Sequence, residues 1–162
     1  MNMFQKFALR DAAIVGAASI AWWTVAEFSA GSGPLGDLSG VVTGLLIGAS
    51  GFVLHEWGHL LSAFAAGASA RPNTHLKTSL LFSFDAEHAS LAQFLFMSIG
   101  GFAVTGLFLW LVYGLLPDHL LATRVARGVV AFQATLTVLL EFPLVAIGVF
   151  RGRAPAEAGV QM

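Results

Sequence analysis

Cysteine is absent from the 162 residues, which excludes disulfides, thiolate metal ligands and a cysteine nucleophile. Any metal must therefore rest on histidine and carboxylate. Charge is scarce too: 10% of the residues are Asp, Glu, Lys or Arg, against about 25% in an average soluble domain. Long stretches offer no polar face at any period, so lipid must serve as solvent for much of the chain. The formal net charge is −1, with no basic patch to neutralise phosphates, and nucleic acid is set aside as a partner. Neither an internal repeat nor a low-complexity tract nor a second, soluble domain is discernible.

The 57% of residues that are hydrophobic gather into four segments, each near the roughly 20 residues a spanning helix needs. The expectation is an all-α, multi-pass integral membrane protein of about four transmembrane helices, with residues 1–162 as one transmembrane domain and spans near 12–28, 41–66, 90–116 and 120–150. The first span follows Lys6 and Arg10. Cleavage of a signal peptide near Ala30 is its rival reading, and Trp22 and Trp23 favour an interfacial anchor instead. Asp37 or Ser39 suits the cap of the second span. Pro117 and Asp118 end the third, and Arg151 and Arg153 follow the fourth.

In a four-span arrangement Lys6, Arg10, Arg71, Lys77, Arg151 and Arg153 fall on one side, while the loop from Gly31 to Leu38 carries no cation. Both termini are then expected in the cytoplasm. Arg124 and Arg127 sit at the outer start of the fourth span, where their stems could snorkel to the headgroups. The polar connection from Ala68 to Ala89 encloses Ser79 to Asp85, whose alternation puts Leu80, Phe82 and Phe84 on one face and Leu81, Ser83 and Asp85 on the other. A short cytoplasmic or re-entrant strand between the second and third spans is expected.

One span holds clustered ionisable residues. His55-Glu56-Trp57-Gly58-His59 is an H-E-x-x-H sequence inside the second span. Positions four apart share a helix face, so both imidazoles can bind one zinc ion from the same side while Glu56 acts as base toward an activated water. Gly58 removes bulk beside them. Two histidines and a glutamate in hydrocarbon cost several kcal/mol unless paired or metallated, which argues against a chance match.

Zinc catalysis calls for three protein ligands and one open position. Glu141, alone among cations-free sequence in the fourth span, is the candidate for the third ligand. Its depth agrees: His59 lies about 12 Å and Glu141 about 15 Å from the cytoplasmic ends of their spans, at about 1.5 Å per residue. Pro143 should remove a hydrogen bond to the Leu139 carbonyl and kink the span next to Glu141. Asp85, Glu87 and His88 are fallback ligands if their loop folds back into the membrane. Glu27 ends the first span on the opposite side, as an interfacial residue, and His75 and His119 lie near loops or helix ends without an assigned role.

From Phe52 through the histidine pair to Ala63, and on to Gly67, the chain resembles the site-2 protease family of intramembrane zinc metalloproteases, whose signature is F-x-x-H-E-x-G-H-x-x-x-A in a transmembrane helix. Gly100 to Thr105 occupies the place of the family's G-P-x-x-N segment without its proline or asparagine, and Leu140-Glu141-Phe142 stands where the family has L-D-G. The resemblance implies a minimal member, working with a membrane partner protein, that cleaves peptide bonds in or beside a substrate's transmembrane helix. Such a substrate must unwind locally, and the segment of Leu80, Phe82, Ser83 and Phe84 could receive it as an added strand. On that reading, proline at Ser83 should impair cleavage.

Two rivals stand beside this reading. A di-iron carboxylate oxidoreductase would draw on Glu56 with His59, Asp85 with His88, Glu27 and Glu141. A catalytically inactive, protease-like membrane scaffold is the other, although a scaffold has no physical need for Glu56. Five histidines are too few for the clusters of membrane hydroxylases and desaturases, and His55 and His59 on one face cannot take opposite sides of a haem.

Overall fold

The computed structural model describes residues 1–26, 33–76 and 80–156. Glu27, Phe28, Ala30, the Gly31 to Ser32 part of the first loop, Lys77 and Ser79 lie outside the described residues. The order of elements is α1 (Met3–Val25), α2 (Pro34–Ala65), β1 (Ala70–Pro72), β2 (Phe82–Phe84), α3 (Leu91–Gly114) and α4 (Leu121–Arg151). α2, α3 and α4 are each long and apolar enough to cross a bilayer. α1 is not among them. It begins at Met3 rather than near Ala12, so that Lys6, Arg10 and Asp11 fall inside the helix.

Local chemistry explains the boundaries. Asn2 and Gln5 close a reciprocal capping box at the start of α1, each backbone N–H donating to the other's side chain at 2.9 Å. Ser90 and Gln93 do the same for α3. α2 begins at Pro34, seven residues before the expected Val41, because proline at a first helical position gives up no hydrogen bond. Asp37 thus lies in the first turn, near the positive end of the helix dipole, and the Ser39 hydroxyl donates back to the Gly36 carbonyl. Gly67, at φ 68°, ends α2 with a Schellman pair: Ala68 N–H donates to Ala63 C=O at 2.9 Å and Gly67 N–H to Phe64 C=O at 3.0 Å.

Two compact units interleave along the chain. The first comprises residues 1–7, 54–104 and 135–162 as far as they are described. Its core joins Phe7, Leu60 and Ala63, Phe94 and Met97, and Leu144 with Leu81, Phe82 and Phe84 of the connecting hairpin. β1 and β2 pair antiparallel, with Ala70 opposite Phe84, Arg71 opposite Ser83 and Pro72 opposite Phe82. Phe82 and Phe84 are buried and Ser83 is exposed, as alternation requires. Leu81 departs from the expectation. It is fully buried rather than outward with Ser83, because the regular strand begins only at Phe82 and the backbone before it is not bound to alternate.

The second unit comprises residues 8–53 and 105–134, as far as they are described. Ala18, Ile47, Val112, Ala126 and Val130 form its core. Gly44 and Gly48 of α2 press against α4: a Cβ on Gly44 would stand 2.6 Å from the Ala122 carbonyl oxygen, and one on Gly48 would overlap Val129. Gln133 Nε2 donates to the Gly48 carbonyl at 3.0 Å, so small residues and one polar side chain together join these helices. Arg127 is held at the end of α3. Its guanidinium donates to the carbonyls of Val112, Tyr113 and Leu116 at 3.0–3.3 Å, pairs with Asp118 at 2.5 Å and lies over the Tyr113 ring. It thereby caps the negative end of α3.

The glycine seam predicts an asymmetry. Gly44→Ala should lower thermal stability in detergent by about 1–3 kcal/mol, because the rigid Ala122 carbonyl cannot move aside. Gly16→Ala, in α1 with open space around it, should be neutral or stabilising by up to about 1 kcal/mol. Equal unfolding temperatures for the two variants would contradict the seam.

Candidate metal centre

Within the first unit α2 contributes His55, Glu56 and His59, all buried, and α4 contributes Glu141. The four-residue spacing stacks the two imidazoles on one face, ring centroids 4.4 Å apart and nearly perpendicular. Their Nε2 atoms lie 3.0 Å from one another. Glu141 closes the triangle, Oε1 standing 3.0 Å from His55 Nε2 and Oε2 3.2 Å from His59 Nε2. Pro143 lies inside a helix that continues to Arg151, so the Leu139 carbonyl, two residues before Glu141, is without its usual ladder donor.

The other ring nitrogens decide what these atoms can do. His55 Nδ1 lies 3.1 Å from the Gly101 carbonyl oxygen and His59 Nδ1 lies 3.0 Å from that of Met97. Carbonyl oxygens only accept, so both Nδ1 atoms carry a proton, and each imidazole in its neutral form presents a lone pair at Nε2. Those lone pairs face each other and a carboxylate. Glu141 Oε2 is buried and makes no hydrogen bond. A single added proton would satisfy one edge of the triangle and leave the remaining acceptors opposed, whereas one cation satisfies all three.

Size agrees with chemistry. Ligand atoms of a tetrahedral site with bonds of about 2.0–2.1 Å stand roughly 3.3 Å apart, and the three separations here are 3.0, 3.0 and 3.2 Å. His55, His59 and Glu141 could therefore hold a metal ion, and they are the one such group among the described residues.

α3 orients this face without using a side chain. Met97 and Gly101 are four residues apart, so their carbonyls are stacked to match the stacked histidines. The close approach depends on glycine: a Cβ on Gly58 would stand 2.7 Å from the Gly100 carbonyl oxygen, and one on Gly101 would overlap the His59 ring. Sequence reasoning anticipated Gly58 but missed Gly101 and Met97, since a backbone acceptor leaves no mark in residue identity. The Gly100-Gly101 pair was the available signal.

Glu56 is held apart from the triangle. Its Oε2 accepts a hydrogen bond from the Leu81 backbone N–H at 3.1 Å. The fallback ligands are elsewhere. Asp85 and His88 bind each other at the exposed surface, with His88 Nδ1 3.0 and 3.1 Å from the two carboxylate oxygens. That bond holds the Asp85 carboxyl below its ordinary range and lifts His88 above its own. Glu87 is exposed too, on the turn of residues 86–88. The di-iron arrangement accordingly lacks its second pair among the described residues.

The chain matches no family model, no curated protein and no solved structure.

Purified protein is expected to carry one divalent ion per chain, and His55→Ala, His59→Ala and Glu141→Ala each to lose it. Gly101→Ala should weaken binding at least about tenfold by displacing the His59 ring, the usual cost of disturbing an outer partner. Elemental analysis and competition with a chromogenic chelator measure both. Retained metal in Glu141→Ala would remove that residue from the ligand set.

Proposed function

We propose that the protein is a zinc-dependent intramembrane endopeptidase that hydrolyses peptide bonds in or near the transmembrane segments of membrane proteins. One observation carries this reading: a buried carboxylate, Glu56, stands directly beside His55 in the chain and so next to a three-donor cluster. The helices that bear the cluster are long and apolar enough to cross a bilayer. Two imidazoles and one carboxylate suit zinc among the divalent ions. The likeness of Phe52 to Gly67 to the site-2 protease signature supports the same reaction.

Zinc held by His55, His59 and Glu141 would supply Lewis-acid polarisation of a peptide carbonyl and an acidified water near neutral pH. Glu56 takes the proton from water as its oxygen adds to the carbonyl carbon, then returns a proton to the amine as the C–N bond breaks. One Glu56 oxygen is fixed by the Leu81 amide, which leaves the other to reach the proton. The Nδ1–H bonds to Gly101 and Met97 keep both imidazoles in one tautomer throughout.

A transmembrane substrate exposes its backbone only where it unwinds, and β2 is the candidate receiving strand. Asp85 N–H donates to Ser69 C=O and Asn73 N–H to Leu81 C=O, so by alternation the Ser83 backbone faces Arg71 within the hairpin. The outer edge then belongs to Phe82 and Phe84, and Phe82 has no exposed surface, so an added strand must displace what covers it. Leu80 and the ring of Phe82 would border that strand. Proline at Ser83 consequently breaks the hairpin itself and does not isolate strand addition. If α1 also crosses the bilayer, both termini face the cytoplasm, and a membrane partner protein would present the substrate.

Glu56→Gln should keep one zinc per chain and lose cleavage by at least about a hundredfold, the lower range for removing a general base. A panel of single-span substrates in proteoliposomes, followed by gel analysis and metal determination, measures both. A variant as active as wild type sinks the base assignment. No cleavage by metal-loaded wild type across the panel favours a scaffold.

A further inference from the structure

Leu81 interrupts its own hairpin to hold Glu56. In an antiparallel ladder the pair Asn73 and Leu81 would exchange two backbone bonds. One is present, Asn73 N–H to Leu81 C=O at 3.2 Å. The reciprocal bond is missing, because the Leu81 N–H donates to Glu56 Oε2 at 3.1 Å instead. The hairpin therefore gives up a ladder bond at the point where its backbone meets the buried carboxylate.

What replaces that lost bond is the side chain of Asn73. Its Nδ2 donates to the Leu80 carbonyl at 2.8 Å, and its Oδ1 accepts from the Ser83 hydroxyl at 3.1 Å. With its backbone bond included, Asn73 is tied to residues 80, 81 and 83. The amide that faces Glu56 lies in the middle of that grip. Because Leu81 is fully buried and precedes the regular strand, no other ladder bond fixes its amide direction. An asparagine, with an amide NH2 that donates and a carbonyl oxygen that accepts on a short stem, is the residue type that can bracket a backbone amide in this way.

We propose that Asn73 is a positioning residue for Glu56, acting through the Leu81 amide. The hairpin is thereby part of the apparatus that aims the carboxylate, in addition to any role in receiving a substrate strand. The kinetic part of this inference rests on Glu56 being the base, and the structural part does not. The two are measured separately.

The experiment is amide hydrogen exchange of the full chain in detergent, read at Leu81, together with metal content and steady-state cleavage. Asn73→Ala should raise exchange at Leu81 about tenfold or more, as expected when a bracketed amide is released. Amides of residues 55–59 and the metal content should stay as in wild type. Glu56→Ala should also expose Leu81, and adding Asn73→Ala to it should increase exchange little further. In cleavage, kcat should fall about tenfold with KM within about twofold, the pattern of a group that acts in the transition state only. Should Asn73→Ala fail to fold, Asn73→Asp keeps the acceptor for Ser83, loses the donor to Leu80 and should show the same rise at Leu81.

Unchanged protection of Leu81 in a folded Asn73 variant overturns the proposal. So does a released Leu81 with kcat and KM both unaltered in an active enzyme. If wild type cleaves nothing, the protease reading fails alone, and the exchange data still decide whether Asn73 holds the amide on Glu56.

Discussion

Two hydrogen bonds from imidazole to backbone carry most of the chemistry of this molecule. Because the Met97 and Gly101 carbonyls can only accept, each histidine is committed to the tautomer that turns a bare nitrogen toward its neighbour. In water such an arrangement would relax by rotation or solvation. Inside a unit where His59 has almost no exposed surface neither escape exists, and the converging lone pairs become a standing demand for positive charge. The carboxylate of Glu141 adds to that demand rather than relieving it, since one of its buried oxygens has no hydrogen to accept.

The same demand explains why apparently unrelated features are gathered here. Glycines at 58, 100 and 101 let α3 come close enough for its carbonyls to reach the rings. The Schellman turn at Gly67, with Gln93 donating to the Ala66 and Gly67 carbonyls, returns the chain from α2 toward α3. The hairpin that follows delivers the Leu81 amide to Glu56. Each is an ordinary local device, and together they set the Glu56 carboxylate beside the three donors of His55, His59 and Glu141.

Much of this arrangement could be read before any coordinates. The four-residue spacing of His55 and His59 follows from helix geometry alone, and the shared depth of His59 and Glu141 follows from 1.5 Å per residue. Ser83 outward between Phe82 and Phe84 inward is a period of two. What stayed hidden has a common cause: it is carried by backbone or by contacts distant in sequence. Carbonyls of Met97 and Gly101 have no residue signature. Leu81 is buried although alternation would turn it outward, because it precedes the regular strand. Nothing local to Arg127 reveals that three carbonyls at the end of α3 await it. The early start of α2 was missed by weighting hydrophobicity above proline at a first helical position.

Orientation by main-chain carbonyls has an evolutionary consequence. The acceptor at position 97 survives replacement of methionine by any side chain that packs equally well, while position 101 tolerates nothing larger than a hydrogen atom beside the imidazole. Divergent chains could thus preserve the electronic state of both histidines while sharing almost no identity along α3, provided one glycine persists.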